Sequence, residues 1–250
     1  MKFTYKLLTL HLMATIALLF QIIYGTLSDW IITFCVYSFI AISLTMTYHR
    51  HLAHKSFEFK SPLVRKFFIA VCTIGSGFSS PITWVAIHRE HHKFSDTNKD
   101  PHPGSKLSNL LKLHFTSWNI EPKVKYATDI ARDPFCRFMH QYYFVMHLLY
   151  AALLLLINPW LVIILYLTPL CLLWHGGNAV NSLSHLFGYR NFDISDKSKN
   201  NWLIALIFFG EWHNNHHRYP NSAKHGYKKF EIDITYFLIK ILGKDIKLHQ

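Results

Sequence analysis

Three short stretches of this chain concentrate imidazoles at spacings that suit metal chemistry. His213-Asn214-Asn215-His216-His217 places histidines at i, i+3 and i+4, and His88-Arg89-Glu90-His91-His92 repeats that spacing. With about 100° of turn per residue, each triplet occupies an arc of roughly 100° on one helix face. Several neutral nitrogens converging from one face are what a transition metal takes as ligands. A third stretch, His49-Arg50-His51-Leu52-Ala53-His54, pairs His49 and His54 five residues apart. Such a pair is rotated by about 140° on a regular helix, so both reach one metal only at a helix end or on a distorted helix. His51 points elsewhere and reads as a surface histidine. Asn181 and His185, at i and i+4, add one more candidate ligand face.

Without His51, the three stretches supply His49, His54, His88, His91, His92, His213, His216 and His217, and His185 completes nine nitrogen ligands. One metal takes about four to six ligands, so the count suggests two metals. The sequence has no His-Glu-x-x-His, which excludes the usual zinc-hydrolase pattern. No glutamate has a histidine three residues on, which excludes the Glu-x-x-His pattern of soluble di-iron bundles. A nearly all-imidazole site suits iron as well as zinc or copper.

The elements that position these residues are apolar. The chain is 51% hydrophobic and 16% aromatic. No Asp, Glu, Lys or Arg lies within 7–27, 30–48 or 138–189. A span needs about 20 apolar residues, so the last run holds two, turning at Asn158-Pro159. The expectation is an all-α integral membrane protein with four transmembrane helices near 7–26, 30–48, 139–157 and 160–179, forming a single domain over 1–250. The first apolar stretch is too long for a cleaved signal and reads as the first span. The segment 67–87 is also uncharged, but crossing there would separate the first two histidine stretches. Gly75, Gly77 and Pro81 break it into short helices at the interface.

All 26 Lys and Arg lie to one side of these spans, and the two short loops opposite carry only Asp29. That bias makes the histidine-bearing segments 49–137 and 180–250 a cytoplasmic helical cap, with both termini cytoplasmic. The net charge of +12 thus gathers on one membrane-proximal face, suited to anionic lipid or an acidic partner. Basic residues scattered between hydrophobic spans argue against nucleic acid. Cys35, Cys72, Cys136 and Cys171 show no Cys-x-x-Cys spacing and read as reduced packing residues.

His49–His54, His88–His92 and His213–His217 resemble the three histidine boxes of membrane fatty acid desaturases. The pattern is most similar to the delta-9, stearoyl-CoA-type branch. Further resemblance lies in Lys93-Phe94-Ser95-Asp96, Asp100-Pro101-His102, Asn181-Ser182-Leu183-Ser184-His185 and Gly210-Glu211-Trp212. It covers roughly 40–230.

The resemblance implies two iron ions held by the nine histidines. One would take His49, His54, His88, His92 and His217; the other His91, His185, His213 and His216, with Asn181 holding a water. It also implies O2 as co-substrate, a cis double bond in a saturated acyl chain, and two electrons from an external donor such as cytochrome b5 or ferredoxin. The stretch 75–84 lacks the Gln-Asn pair of the animal acyl-CoA enzymes. The acyl chain's carrier therefore stays open between acyl-CoA, acyl-lipid and acyl-carrier protein. A di-iron hydroxylase or oxidative decarboxylase of lipid would share the boxes. A haem protein would place its histidines inside spans, not at one face. Ser43 and Thr45, below His49, are the positions expected to limit acyl length.

Overall fold

The computed structural model describes residues 3–249, which are predominantly helical. Helices α1 (Phe3–Tyr24) and α2 (Leu27–Leu44) form an apolar hairpin. Its turn is locally encoded: the Thr26 hydroxyl accepts the Asp29 N–H while the Asp29 carboxylate accepts the Thr26 N–H, a reciprocal cap. Beyond Leu44 the helix widens into a π-helical segment, Thr45–Ala53. There the His54 N–H bonds to the His49 carbonyl five residues back. This is the distortion that the spacing of His49 and His54 requires.

Helices α3 (Pro62–Gly75) and α4 (Pro81–Phe94) are separate, and the break falls where Gly75, Gly77 and Pro81 lead one to expect it. Each opens with a serine cap and a proline in its first turn, Ser61-Pro62 and Ser80-Pro81. Short helices α5 (Ser108–Thr116) and α6 (Thr128–Arg132) follow over the mixed basic stretch.

Helices spanning Tyr5–Tyr24, Leu27–Ala53 and Pro159–Leu186 are each long and apolar enough to cross a membrane. The stretch expected to span at 139–157 departs from that simple picture. There α7 (Pro134–Gln141) meets α8 (Tyr143–Ile157) at 67°, with Tyr142 off the helical conformation. The 15 residues of α8 reach only about 22 Å, against about 30 Å of hydrocarbon. It qualifies as a span only together with α7.

Asn158 caps α9 (Pro159–Val162), as the Asn-Pro turn implies. That helix continues through a second wide segment, Ile163–Leu167, into α10 (Thr168–Leu186). The last part holds α11 (Trp202–Ile207), α12 (His213–Arg218) and α13 (Ile234–Leu242). A two-stranded antiparallel ribbon, β1 (Glu58–Phe59) with β2 (Gly243–Lys244), ties the chain's end to the segment after the first histidine stretch.

The main core lies where α2, α3, α4 and α10 meet, around Ile40, Leu44, Ile69, Val85 and Leu173. A second core joins α1 to α8 and α10 through Leu10, Ala14, Leu154 and Leu170. Meanwhile Ile16, Phe20, Ile23, Leu148 and Leu156 face outward, Leu156 at 86% exposure. An apolar exterior of that extent fits a lipid-embedded protein.

Candidate metal centre

Four elements deliver the nine histidines to one end of the bundle. The wide segment after α2 brings His49 and His54, α4 brings His88, His91 and His92, α10 brings His185, and α12 brings His213, His216 and His217. All nine are largely buried, and their ligating atoms form two groups. His49, His54, His88, His92 and His216 converge within 4.8 Å, and so do His91, His185, His213 and His217. Each triplet helix therefore feeds both groups.

The resemblance implied the same nine residues with His216 and His217 exchanged. Helix geometry explains the observed partition. Residues at i and i+4 diverge by about 40°, and those at i and i+3 by about 60°. His213 lies 4.4 Å from His217 and 6.3 Å from His216, between ring centroids. The same rule puts His88 with His92 (4.6 Å) rather than His91 (6.4 Å).

Several contacts bear on whether a metal fits. Inward-facing Nε2 atoms approach one another closely: His54–His88 at 2.7 Å, His49–His216 and His216–His92 at 2.9 Å, His185–His213 at 3.0 Å. Two nitrogens ligating one ion at right angles, with bonds of about 2.1 Å, stand about 3.0 Å apart. One Nε2 of His216 cannot serve two in-plane hydrogen bonds at once, whereas a shared cation satisfies all three rings.

In the second group three of the four outer nitrogens are committed to carboxylates. His91 Nδ1 lies 2.9 Å from Asp100, His185 Nδ1 2.9 Å from Asp96, and His217 Nδ1 3.0 Å from Asp196. Donation from Nδ1 leaves a lone pair on each Nε2, pointing inward. The buried Nε2 atoms of His91 and His217 have no hydrogen-bond partner among the described residues. Burial first, and neighbouring imidazoles second, hold His54, His88, His92, His216 and His217 well below the usual histidine range. Such a shift favours the neutral imidazole, the form that binds metal. The residues fit a two-metal site.

Glu211 joins the groups. Its carboxylate oxygens lie 3.4 Å from His49 Nδ1, in the first group, and 3.6 Å from His213 Nδ1, in the second. Its position requires Gly210, whose φ is +111° and whose added Cβ would stand 2.5 Å from Asp233 Cα. Burial opposes the Glu211 charge, but His225 and His49 outweigh it and hold the carboxyl well below its usual range. His225, with Nδ1 at 3.1 Å from Glu211, is itself buried. Sequence reasoning passed over it, because a lone histidine after the last stretch carries no spacing signal. The carboxylates Asp96, Asp100 and Glu211 lie in segments that resemble the family's but carry no ligand spacing of their own, and Asp196 lies in a polar loop.

His51 lies outside both groups as expected, but it is not a surface residue. It is buried, bonded through Nδ1 to the Phe57 carbonyl and through Nε2 to Arg65. The arginines inside the first two stretches also face away from the nitrogens. Arg50 pairs with Asp233 at 2.9 Å, and Arg89 reaches Asp129 and the carbonyls of Leu52 and Ala53.

A cavity runs from this centre into the bundle. His49, His88 and His213 form its wall at the metal end, with Asn181 and Glu211 beside them. Leu7, Leu44, Thr45, Phe78, Trp84 and Trp174 line its apolar part. Thr45 is thus in the lining, whereas Ser43 is buried with its hydroxyl on the Phe39 carbonyl. A narrow apolar cavity beside two clusters of metal-ready imidazoles defines a site for oxidative chemistry on a hydrocarbon chain.

Residues 27–231 match the family model described as fatty acid desaturase. The chain is 36% identical over 221 residues to an sn-2 palmitoyl-lipid 9-desaturase of Nostoc sp. (strain 36), covering 85% of this chain and 77% of that one. It is 34% identical over 206 residues to an sn-1 stearoyl-lipid 9-desaturase of Anabaena variabilis, covering 80% and 75%. An acyl-CoA 5-desaturase of Anemone leveillei is 36% identical over 206 residues, covering 79% and 63%. The chain belongs to the fatty acid desaturase family. It is an oxidoreductase that desaturates fatty acyl chains.

Proposed function

We propose that this protein introduces a cis double bond at the delta-9 position of a saturated acyl chain carried by a membrane lipid. The observation that carries this reading is the shared wall: histidines of both groups line the cavity. Its apolar lining would hold a methylene chain and exclude water from the reacting carbons. The cyanobacterial relatives' names, which specify 9-desaturation of acyl-lipids, support the position and the carrier.

One iron ion would be held by His49, His54, His88, His92 and His216. The second would be held by His91, His185, His213 and His217, with Asn181 placing a water beside it. When bound, the irons would supply O2 reduction and removal of two hydrogens from adjacent acyl carbons, using two electrons from an external donor such as cytochrome b5 or ferredoxin. The protein's own part is orientation. Asp96, Asp100 and Asp196 fix the tautomers of His185, His91 and His217. Glu211, 3.4 Å from His49 and 3.6 Å from His213, would orient both electrostatically.

The chain would form one domain with four spans, the fourth being the bent α7–α8 pair, and a cytoplasmic cap that includes both termini. The one-sided Lys and Arg distribution supports this topology. The test is expression in a desaturase-deficient host with a compatible donor, followed by double-bond location by mass spectrometry. New delta-9 cis-monoenes that vanish with His216→Ala support the proposal. Hydroxy acids or terminal alkenes instead would move the reaction to a hydroxylase or decarboxylase.

A further inference from the structure

A second concavity adjoins the acyl cavity and differs from it in chemistry. It is a cleft of about 540 Å³ between the loop 98–103 and α5. Ser117 and Ile120 line both, so the cleft and the cavity are neighbours at that point. The acyl cavity is walled by apolar and aromatic side chains, while the cleft presents Asn98, Asn109, Lys112, Thr116 and Asn119. The loop and helix are tied together, since the Asn109 amide donates to the Pro103 carbonyl at 2.8 Å. That bond leaves the amide oxygen of Asn109 free to accept from a ligand.

The charge of the cleft is informative. Lys112 is the one basic residue among its described lining, and it has no ion pair among the described residues. Asp100 keeps its negative charge, which opposes a polyanionic head, but offers a ligand no free oxygen. Its buried carboxylate is occupied by His91 and by the backbone N–H groups of Asp96 and His102. A coenzyme A head carries about four negative charges over three phosphates, and such groups are bound by clusters of Arg and Lys. A single ammonium among amides and a hydroxyl matches a different ligand. It suits hydroxyl groups with at most one negative charge. The volume lies within the range that encloses a sugar- or phosphoglycerol-sized group.

We infer that this cleft binds the polar head of a diacyl membrane lipid, rich in hydroxyls and carrying no more than one negative charge, while one acyl chain of the same lipid threads past Ser117 and Ile120 into the metal-bearing cavity. Carboxamides of Asn98, Asn109 and Asn119 hydrogen-bond the head's hydroxyls, and Lys112 meets a single phosphodiester where there is one. The inference rests on the desaturase reading for its reaction, but not for its test of binding.

The experiment uses the full-length chain in nanodiscs containing phosphatidylglycerol or monogalactosyl diacylglycerol, each with a diazirine on the head. A companion lipid carries the diazirine on its stearoyl tail. The expected result is head labelling within 98–120, tail labelling on the acyl cavity, and no displacement of the head label by excess stearoyl-CoA. Asn119→Trp with either lipid, and Lys112→Glu with phosphatidylglycerol, both at exposed positions, should cut head labelling several-fold while tail-labelled sites stay the same. In turnover assays they should raise the lipid KM about tenfold with kcat nearly unchanged. Head labelling elsewhere, or its loss to stearoyl-CoA, overturns the inference whatever the activity. Absence of new double bonds with the head label in the cleft would instead count against the reaction and leave the binding site standing.

Discussion

Replacing Asp100 by Asn should release one metal ion and leave the other in place. The Asp100 side chain is fully buried, and its oxygens lie 2.9 and 3.1 Å from His91 Nδ1. They also accept the backbone N–H groups of Asp96 at 2.8 Å and His102 at 3.0 Å. An asparagine keeps one acceptor, turns an NH2 toward donors, and removes the carboxylate that accepts from His91 Nδ1 and fixes its tautomer. Losing such an outer carboxylate typically weakens metal binding 10- to 100-fold, about 1.4–2.8 kcal/mol. No atom of Asp100 touches the group of His49, His54, His88, His92 and His216, so that ion should keep its affinity. Glu211→Gln is the contrasting change. Its two oxygens face His49 and His213, one in each group, so both ions should loosen together. The assay is metal content by mass spectrometry after dialysis against graded chelator, with circular dichroism to verify that the helices persist. Loss of both ions at one chelator concentration in Asp100→Asn, or retention of both at wild-type affinity, would refute the assignment of two separately buttressed groups.

Thr45→Phe should shorten the accepted acyl chain by a few carbons, because Thr45 lines the cavity; Ser43→Val should leave product lengths unchanged, and gas chromatography of the products decides. Arg50→Ala should destabilise the protein by about 3–5 kcal/mol, since it strands the buried Asp233 carboxylate, and thermal unfolding in detergent would register this as a large drop in Tm. The acid limb of stability should depend on Asp129. Burial raises its pKa, but hydrogen bonds from Arg89 and Lys55 outweigh that and hold it well below its usual 3.8. A depressed folded value means stabilisation that is present above pH 3.8 and lost as pH falls toward the folded pKa. Tm measured against pH should therefore fall less steeply below about pH 4 in Asp129→Asn than in the wild type.

Much of the site is legible in the sequence because helical spacing is local information. The triplets His88–His92 and His213–His217 carry their shared face in their own numbering, and the partition into i, i+4 pairs follows from the same arithmetic. At His216 and His217 the observed grouping follows that arithmetic and differs from what the resemblance implies. The breaks at Gly75 and Pro81 and the turn at Asn158-Pro159 are legible for a similar reason, since proline and a capping side chain act within one turn. The bend between α7 and α8 is not, because it occurs at Tyr142 with no proline or glycine to announce it.

Least legible is what holds the first histidine stretch open. His49 and His54 share a group only because Thr45–Ala53 is wound wide, and a wide turn gives poorer backbone packing than a regular one. Contacts distant in sequence offset that cost. Arg50, inside the wide segment, is bonded to Asp233, to the Ala223 carbonyl and to the Gly210 carbonyl. Arg89 takes the carbonyls of Leu52 and Ala53 at the segment's end. The charged residues within the first two boxes thus maintain the backbone shape that brings the imidazoles together. This predicts that Arg50→Ala should separate His54 from its group before the protein unfolds. Chelator resistance of the ion held with His54 should fall at temperatures well below Tm, while the ion held by His91, His185, His213 and His217 persists. Simultaneous loss of both ions only at Tm would show that the wide turn stands without its arginine.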